Sequence, residues 1–302
     1  MIERILVPLD GSRFAEAALT PALDIARRAG CNLHLVAAQE EVPAWVYPGL
    51  PSVMTEWRGE YFDQLLAELG ERTTVEITTA TPDGHVAEEI ELEAERVDAD
   101  LVIMATHGRG PLSRTWLGSV ADSFVRCTRR PVLMMRPPED PEAEPEWRGA
   151  HRVLVPLDGS GLAEAALPAA MKLGRVYDAS YHLVRVVHFP VAPASPYIPH
   201  TAEMNQEAVD EQKAAAREYV DAVRDRLVEG GADVDCSVVV APHAARGILA
   251  VAAERGCTLV AMATHGSRLR RLALGSTSDK VLRTTELPLL LVRPGGEEGD
   301  EA

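Results

Sequence analysis

The sequence is poor in the features that mark several protein classes. Only four cysteines occur in 302 residues, Cys31, Cys127, Cys236 and Cys257. They stand singly, without CxxC spacing, which excludes a disulfide framework or a thiolate metal centre and suits a reduced, cytoplasmic protein. No apolar run approaches the roughly 18 residues of a membrane helix, so no membrane role is expected. The N-terminus runs straight into an apolar strand with no signal-peptide pattern. Basic residues are outnumbered, 30 Lys and Arg against 46 Asp and Glu, which leaves a net charge of -16. Phosphate-rich partners would be repelled over most of such a surface, so neither nucleic acid nor an anionic membrane is an expected partner. GxxxxGK[ST], GxGxxG after the first strand and HExxH are all missing, and with them the P-loop, the dinucleotide fingerprint and a zincin site; no metal site is expected.

What is present is a duplication. Arg4-Ile5-Leu6-Val7-Pro8-Leu9-Asp10-Gly11-Ser12 is matched by Arg152-Val153-Leu154-Val155-Pro156-Leu157-Asp158-Gly159-Ser160. Leu101 to Gly108 is matched by Leu259 to Gly266, Gly118-Ser119 by Gly275-Ser276, and Pro131 to Pro137 by Pro288 to Pro294. The repeat is domain-sized, and the length allows two domains that each bury a core. The expected boundaries are domain 1 over residues 1–137, an acidic proline-rich linker over 138–150, domain 2 over 151–294 and a disordered acidic tail over 295–302.

Strands and helices alternate within each half. In the first, the patterns predict strands at Arg4 to Leu9, Asn32 to Ala37, Thr73 to Thr79, Leu101 to Ala105 and Val132 to Met135. Helices are predicted from Phe14 to about Ala29, from Trp57 to Arg72, from His85 to Val97 and from Ser119 to about Thr128. Proline-aromatic loops precede the second helix of each half, Val42 to Pro51 and Phe189 to Pro199, and the second half's long helix runs from about Thr201 to Glu229. The fold class that follows is α/β, two tandem doubly wound parallel five-stranded sheets of Rossmann-like type.

The most informative stretch is Leu101 to Ser119. An apolar strand leads into a glycine turn that holds Arg109 and Arg114 and no acid, and Gly118-Ser119 opens a helix. Free N–H groups and the positive dipole end there suit a phosphate. On its own the stretch fits equally well a βα turn capped by serine, with solvated arginines. Ser12 and Ser160 read as helix N-caps, and the paired histidines His85/His243 and His107/His265 as capping or packing residues.

With the VPLDGS, MATHG, Gly-Ser and PVLMMRP motifs in order, twice, the chain resembles a tandem universal stress protein. Nucleotide-binding members of that family carry Gly-x2-Gly-x9-Gly-Ser. Here Ala105 replaces the leading glycine, and the second half has eight residues, not nine, between Gly266 and Gly275. The resemblance implies ATP (or AMP/ADP) bound chiefly by the first half, with Mg2+ accompanying the phosphates. Pro8 and Asp10 would lie under the adenine, Ala37 would offer backbone groups to the base, and Met104 and Ala105 would line base and sugar. Gly108, Gly118, Ser119 and Val120 would contact phosphates, and Arg109 would reach them by its side chain. The corresponding second-half positions are Pro156, Asp158, Val186, Met262, Ala263, Gly266, Gly275, Ser276 and Thr277. Pairing through the fifth strands would make the chain an intramolecular pseudo-dimer, and an unidentified protein partner and a further homodimer stay open. The expected role is regulatory, in stress response, with no catalytic residue and little or no hydrolysis. The alternative is a non-nucleotide scaffold or partner-binding module that retains the fold.

Overall fold

The computed structural model describes residues 1–40, 50–106, 117–140, 143–188, 201–264 and 275–294. It divides into two compact units, Met1–Gly149 together with Glu286–Arg293, and a second built on Ala150–Thr285.

In the first unit the strands are β1 (Arg4–Pro8), β2 (Asn32–Val36), β3 (Ile77–Ala80), β4 (Leu101–Ala105) and β5 (Val132–Met135). They pair in parallel in the order β3-β2-β1-β4-β5. Strand order therefore reverses between β1 and β4, so a crevice opens beyond their carboxyl ends. All five β4 residues are buried, as a strand covered on both faces requires. The antiparallel β10 (Leu289–Val292) takes the outer edge of β5, with Leu290 opposite Leu133. The outer edge of β5 is thus occupied, and Arg293 from the end of β10 donates to the Arg126 and Cys127 carbonyls.

The helices follow from local chemistry. The first predicted helix is broken into α1 (Arg13–Glu16) and α2 (Leu19–Ala29). Pro21 has no N–H to offer Ala17, and its ring would collide with that carbonyl in a continuous helix. The same break separates α6 (Gly161–Glu164) from α7 (Ala166–Gly174), where Pro168, aligned with Thr20 one position earlier, has no N–H to offer Glu164. α3 (Leu50–Gly70) starts seven residues before the predicted Trp57. Pro51 is tolerated there because a first-turn N–H has no intrahelical acceptor. β3 is shorter than predicted because residues 71–76 are needed to turn back from α3, with Val75 N–H bonded to Thr73 Oγ1 at 3.2 Å. α4 (Val86–Arg96) and α5 (Ser119–Cys127) pack on each other. α5 buries Ala121, Phe124 and Val125 at i, i+3 and i+4, and full burial of a residue such as Phe124 contributes about 1.5–3 kcal/mol.

The second unit repeats the plan with β6 (Arg152–Leu157), β7 (Ser180–His188), β8 (Asp233–Ala241) and β9 (Leu259–Ala263), in parallel order β8-β7-β6-β9. Its helices are α6, α7, α8 (Thr201–Glu229), α9 (Ala244–Glu254) and α10 (Ser276–Thr284), with a 3-10 turn at Arg175–Tyr177. β7 and β8 outrun their counterparts by several residues. Gly247 of α9 allows their close approach, since a Cβ there would come within 3.1 Å of the Val186 methyls. The segment between the repeats is tethered where it is described: Trp147 Nε1 donates to Asp24 Oδ2 at 2.9 Å.

Candidate functional site

The floor of the first crevice is the turn after β1. Gly11 sits at φ 76, a conformation that a side chain would strain, and lets the chain fold back at once into α1. Ser12 then has two partners. Its N–H and Oγ donate to Asp10 Oδ1 at 2.9 and 2.6 Å, while Oγ accepts from Ala15 N–H at 3.2 Å as the N-cap of α1. The cap fixes the Asp10 carboxylate at the mouth of the sheet, with Pro8 buried behind it.

The rim comes from the end of β2, where Ala37 was expected to offer backbone groups. Along this strand, residues 33, 37 and 39 donate towards β3, to Glu76, Ala80 and Pro82 carbonyls at 3.0, 2.9 and 3.1 Å. Residues 32 and 36 bond on the β1 side, to Glu3 O at 3.2 Å and from Leu9 N–H at 2.8 Å. Ala37 N–H is therefore committed to Ala80, and its carbonyl accepts from Arg58 Nη1 at 3.3 Å. Alternation turns the N–H and C=O of Ala38 towards β1, past the point where β1 has ended. Neither has a partner among the described residues, so Ala38 is the residue with backbone groups to offer. Arg58 fixes the geometry from behind. It is buried, and it also donates to Pro82 O at 3.2 Å and to Asp83 Oδ1 at 2.6 Å.

The far wall is β4 and the start of α5. Met104 and Ala105 are both buried, and Ala105 remains within β4, paired with Met135. No left-handed backbone is called for there, so alanine fits where the motif has glycine. Gly108 and Arg109 lie outside the described residues. Gly118 N–H donates to Thr106 O at 2.8 Å, which holds the start of α5 against the end of β4. Gly118 is the N-cap and Ser119 the first helical residue; no side chain caps α5, in contrast to α1. Among the described residues, the N–H groups of Ser119, Val120 and Ala121 therefore stand at the helix entry without a capping side-chain oxygen. Asp122, the acid of that first turn, is held by Arg126 at 2.8 and 2.9 Å.

The second unit repeats most of this. Asp158 Oδ1 receives Ser160 N–H and Oγ at 2.9 and 2.5 Å, beyond a half-buried Pro156. Met262 and Ala263 are buried in β9, and Gly275 N–H closes on Thr264 O at 2.6 Å. Ser276 and Thr277 open α10, again without a side-chain cap. Gly266 lies outside the described residues. One correspondence changes. The pairs Pro8–Val36 and Pro156–Val184 put Val186 level with Ala38, and put Arg185 level with Ala37. The structure adds Ala38, Thr106, Arg58 and Arg185 to the residues around the two candidate crevices; counting residues from the HLV of each repeat points to the last.

Other chemistries have little support at these positions. Burial pushes the thiols of Cys31 and Cys257 up to about 11, which keeps them protonated and unreactive. His85 and His243 are N-caps of α4 and α9 by position, without a side-chain cap bond. His107 and His265 lie outside the described residues, as do Arg114, Arg268, Arg270, Arg271 and most of both proline-aromatic loops. Among the described residues no helix is long and apolar enough to cross a membrane.

These features define a duplicated, doubly wound α/β protein with a candidate crevice at the carboxyl strand ends of each copy. The sequence model of the universal stress protein family matches residues 1–136 and 149–293, and the chain belongs to that family. A universal stress protein of Methanocaldococcus jannaschii is 30% identical over 150 residues, 46% of this chain and 85% of that protein. One from Mycobacterium tuberculosis is 32% identical over 134 residues, 44% of this chain and 45% of that protein. The crystal structure of a universal stress protein from Archaeoglobus fulgidus is similar in fold, with 19% identity, TM-score 0.70 and coverage of 97% of this chain and 98% of that one.

Proposed function

We propose that the first crevice binds an adenine nucleotide, ATP or its AMP and ADP relatives, and that the chain acts as a regulatory stress-response protein rather than an enzyme. The observation that carries this reading is the unequal capping of the two helices that start at the crevice. α1 has its cap in Ser12, whereas α5 presents its first N–H groups uncapped beside the β1/β4 switch point. An uncapped helix entry with its positive dipole end is a ready acceptor of phosphate.

The rest of the nucleotide follows from the residues around it. Gly118, Ser119 and Val120 hold the phosphates, with Gly108 and the Arg109 side chain as further phosphate contacts implied by the family resemblance. Ala38 matches adenine by chemistry, its C=O accepting from the exocyclic amine and its N–H donating to a ring nitrogen. Asp10, oriented by Ser12, bonds the ribose or the base. Mg2+ would be carried mainly by phosphate oxygens and water. Of the carboxylates at this end, Asp10 is held by Ser12 and Asp122 by Arg126, so neither is poised to activate water. Slow hydrolysis, a location in the cytoplasm and a partner protein that senses the nucleotide-bound state belong to the same proposal.

The test is calorimetric titration of the whole chain with ATP and Mg2+, together with a Gly118→Val, Ser119→Ala variant. One site per chain in the parent, lost in the folded variant, is the expected result. Unchanged affinity in that variant refutes the assignment.

A further inference from the structure

The second unit holds a guanidinium with no hydrogen-bond or ion-pair partner among the described residues. Arg185 stands opposite Leu157 at the end of β6. Its guanidinium carbon lies 5.9 Å from the centre of the Tyr219 ring, and a Cβ on Gly159 would come within 2.9 Å of its Nη1. The side chain is thus held between α8 and the Asp158-Gly159-Ser160 turn, at the carboxyl end of the sheet. Among the described residues no hydrogen bond or ion pair reaches it, and its Nε is buried without an acceptor.

The neighbouring carboxylates are engaged elsewhere. Asp158 is turned onto Ser160, and Glu164 receives the Tyr219 hydroxyl at 2.8 Å and Arg226 at 2.5 Å. The arginines of α8 show the contrast, since Arg217, Arg224 and Arg226 are each ion-paired at 2.8, 2.7 and 2.5 Å. A guanidinium offers five donors in a planar fork. One that is held in place and partly buried, with no acceptor among the described residues, is suited to an anionic ligand.

We propose that Arg185 is an anion-binding residue, and that it makes the second crevice a site for a phosphorylated small molecule whose phosphate docks on this guanidinium. A phosphate, with two charges and three acceptor oxygens, matches the fork better than a single carboxylate. The place is distinct from the α10 entry at Ser276 and Thr277, and the first repeat has only the Ala37 methyl there. The two crevices therefore select different ligands. This goes beyond the adenine reading and does not depend on it, because the guanidinium needs neither a base nor the first crevice.

The experiment is calorimetric titration of the full chain with inorganic pyrophosphate at constant ionic strength, in the Gly118→Val, Ser119→Ala background so that α5 does not contribute. Arg185→Gln is expected to weaken binding about tenfold or more, the loss of a charge-assisted contact. Arg217→Gln, with the same change of charge at a residue paired with Asp221, is expected to leave it unchanged. Arg185→Lys keeps the charge without the fork and is expected to fall between parent and Arg185→Gln; it decides the matter if the glutamine variant misfolds. No binding by the background protein, or equal binding by it and the Arg185 variants, overturns the proposal. Because ATP binding is measured separately, the two proposals fail separately.

Discussion

His34 provides the sharpest energetic prediction, because both of its ring nitrogens are accounted for. The side chain is buried on β2, with Nδ1 2.7 Å from Thr78 Oγ1 and Nε2 2.7 Å from Glu93 Oε1. A carboxylate can only accept, so the neutral ring carries its proton on Nε2 and receives the threonine hydroxyl at Nδ1. Burial, the largest influence, lowers the His34 pKa despite the pull of Glu93. Hydrogen bonds from Arg96, the largest influence there, lower that of Glu93. Glu93→Ala leaves a buried N–H without an acceptor, at a cost of about 2–3 kcal/mol including lost packing. Arg96 is exposed, so solvent screens its pairing with Glu93 and the buried histidine contact dominates. For a unit of this size the midpoint of thermal unfolding should fall by roughly 4–12 °C. Glu93→Gln, whose amide oxygen still accepts, should recover most of that. A Glu93→Ala midpoint within about 1 °C of the parent, or a Gln variant as unstable as Ala, would refute the reasoning. The pH dependence has a definite sign. The unfolded chain takes up the His34 proton first, so this stability is full above the reference value of 6.5 and is lost as pH falls through the lowered folded value. Glu93 acts in the same direction further down, below its reference value of 4.5. The decline between pH 7.5 and 5.5 should be shallower in His34→Gln.

Two further substitutions probe the crevice. Ser12→Ala removes the α1 cap, at about 1 kcal/mol of stability, and releases Asp10. ATP affinity measured by calorimetry should drop several-fold, while Ser160→Ala leaves it unchanged; equal effects would contradict a ligand held chiefly by the first repeat. Arg58→Leu leaves the Ala37 and Pro82 carbonyls without their donor. It should cost about 2 kcal/mol in chemical denaturation and weaken ATP binding by loosening the Ala38 rim. Normal affinity in a destabilised variant would show that Arg58 has no part in positioning the rim.

Much of the fold was legible because strand signals here are short, wholly apolar runs between turn residues. β4, β5 and α8 fall on the residues predicted for them, and Ser12 and Ser160 cap as their spacing demanded. The errors have physical causes. Alanine-rich periodicity continues across Ala17 and Ala18, but Pro21 forbids the hydrogen bond that a continuous helix needs. The β-branched run at Thr73 to Val75 favours a strand locally, yet the chain must first turn away from α3. Ala37 was preferred to Ala38 because composition does not reveal which neighbour a strand residue bonds. That depends on register, and one position exchanges the two sides.

Register also explains how the two repeats diverged without losing their scaffold. The Thr–Gly closures, 2.8 Å at Gly118 and 2.6 Å at Gly275, hold the helix entry against the strand end whether nine or eight residues lie between the glycines. Tyr61 and Tyr219 bond Glu16 and Glu164 alike, which aligns α3 with α8 and sets Arg58 level with Ala216. In the first repeat the helix supplies the guanidinium and the strand an alanine; in the second the strand supplies Arg185 and the helix an alanine. The exchange has a consequence for function. Arg58 uses its donors on Ala37, Pro82 and Asp83, and so shapes a rim that can meet a neutral base through backbone groups. Arg185 uses none of its donors on the described protein, and so leaves a positive charge at the same level of the second sheet. Under the two proposals, a shared fold with the arginine on opposite elements lets one crevice read a base and the other an anion.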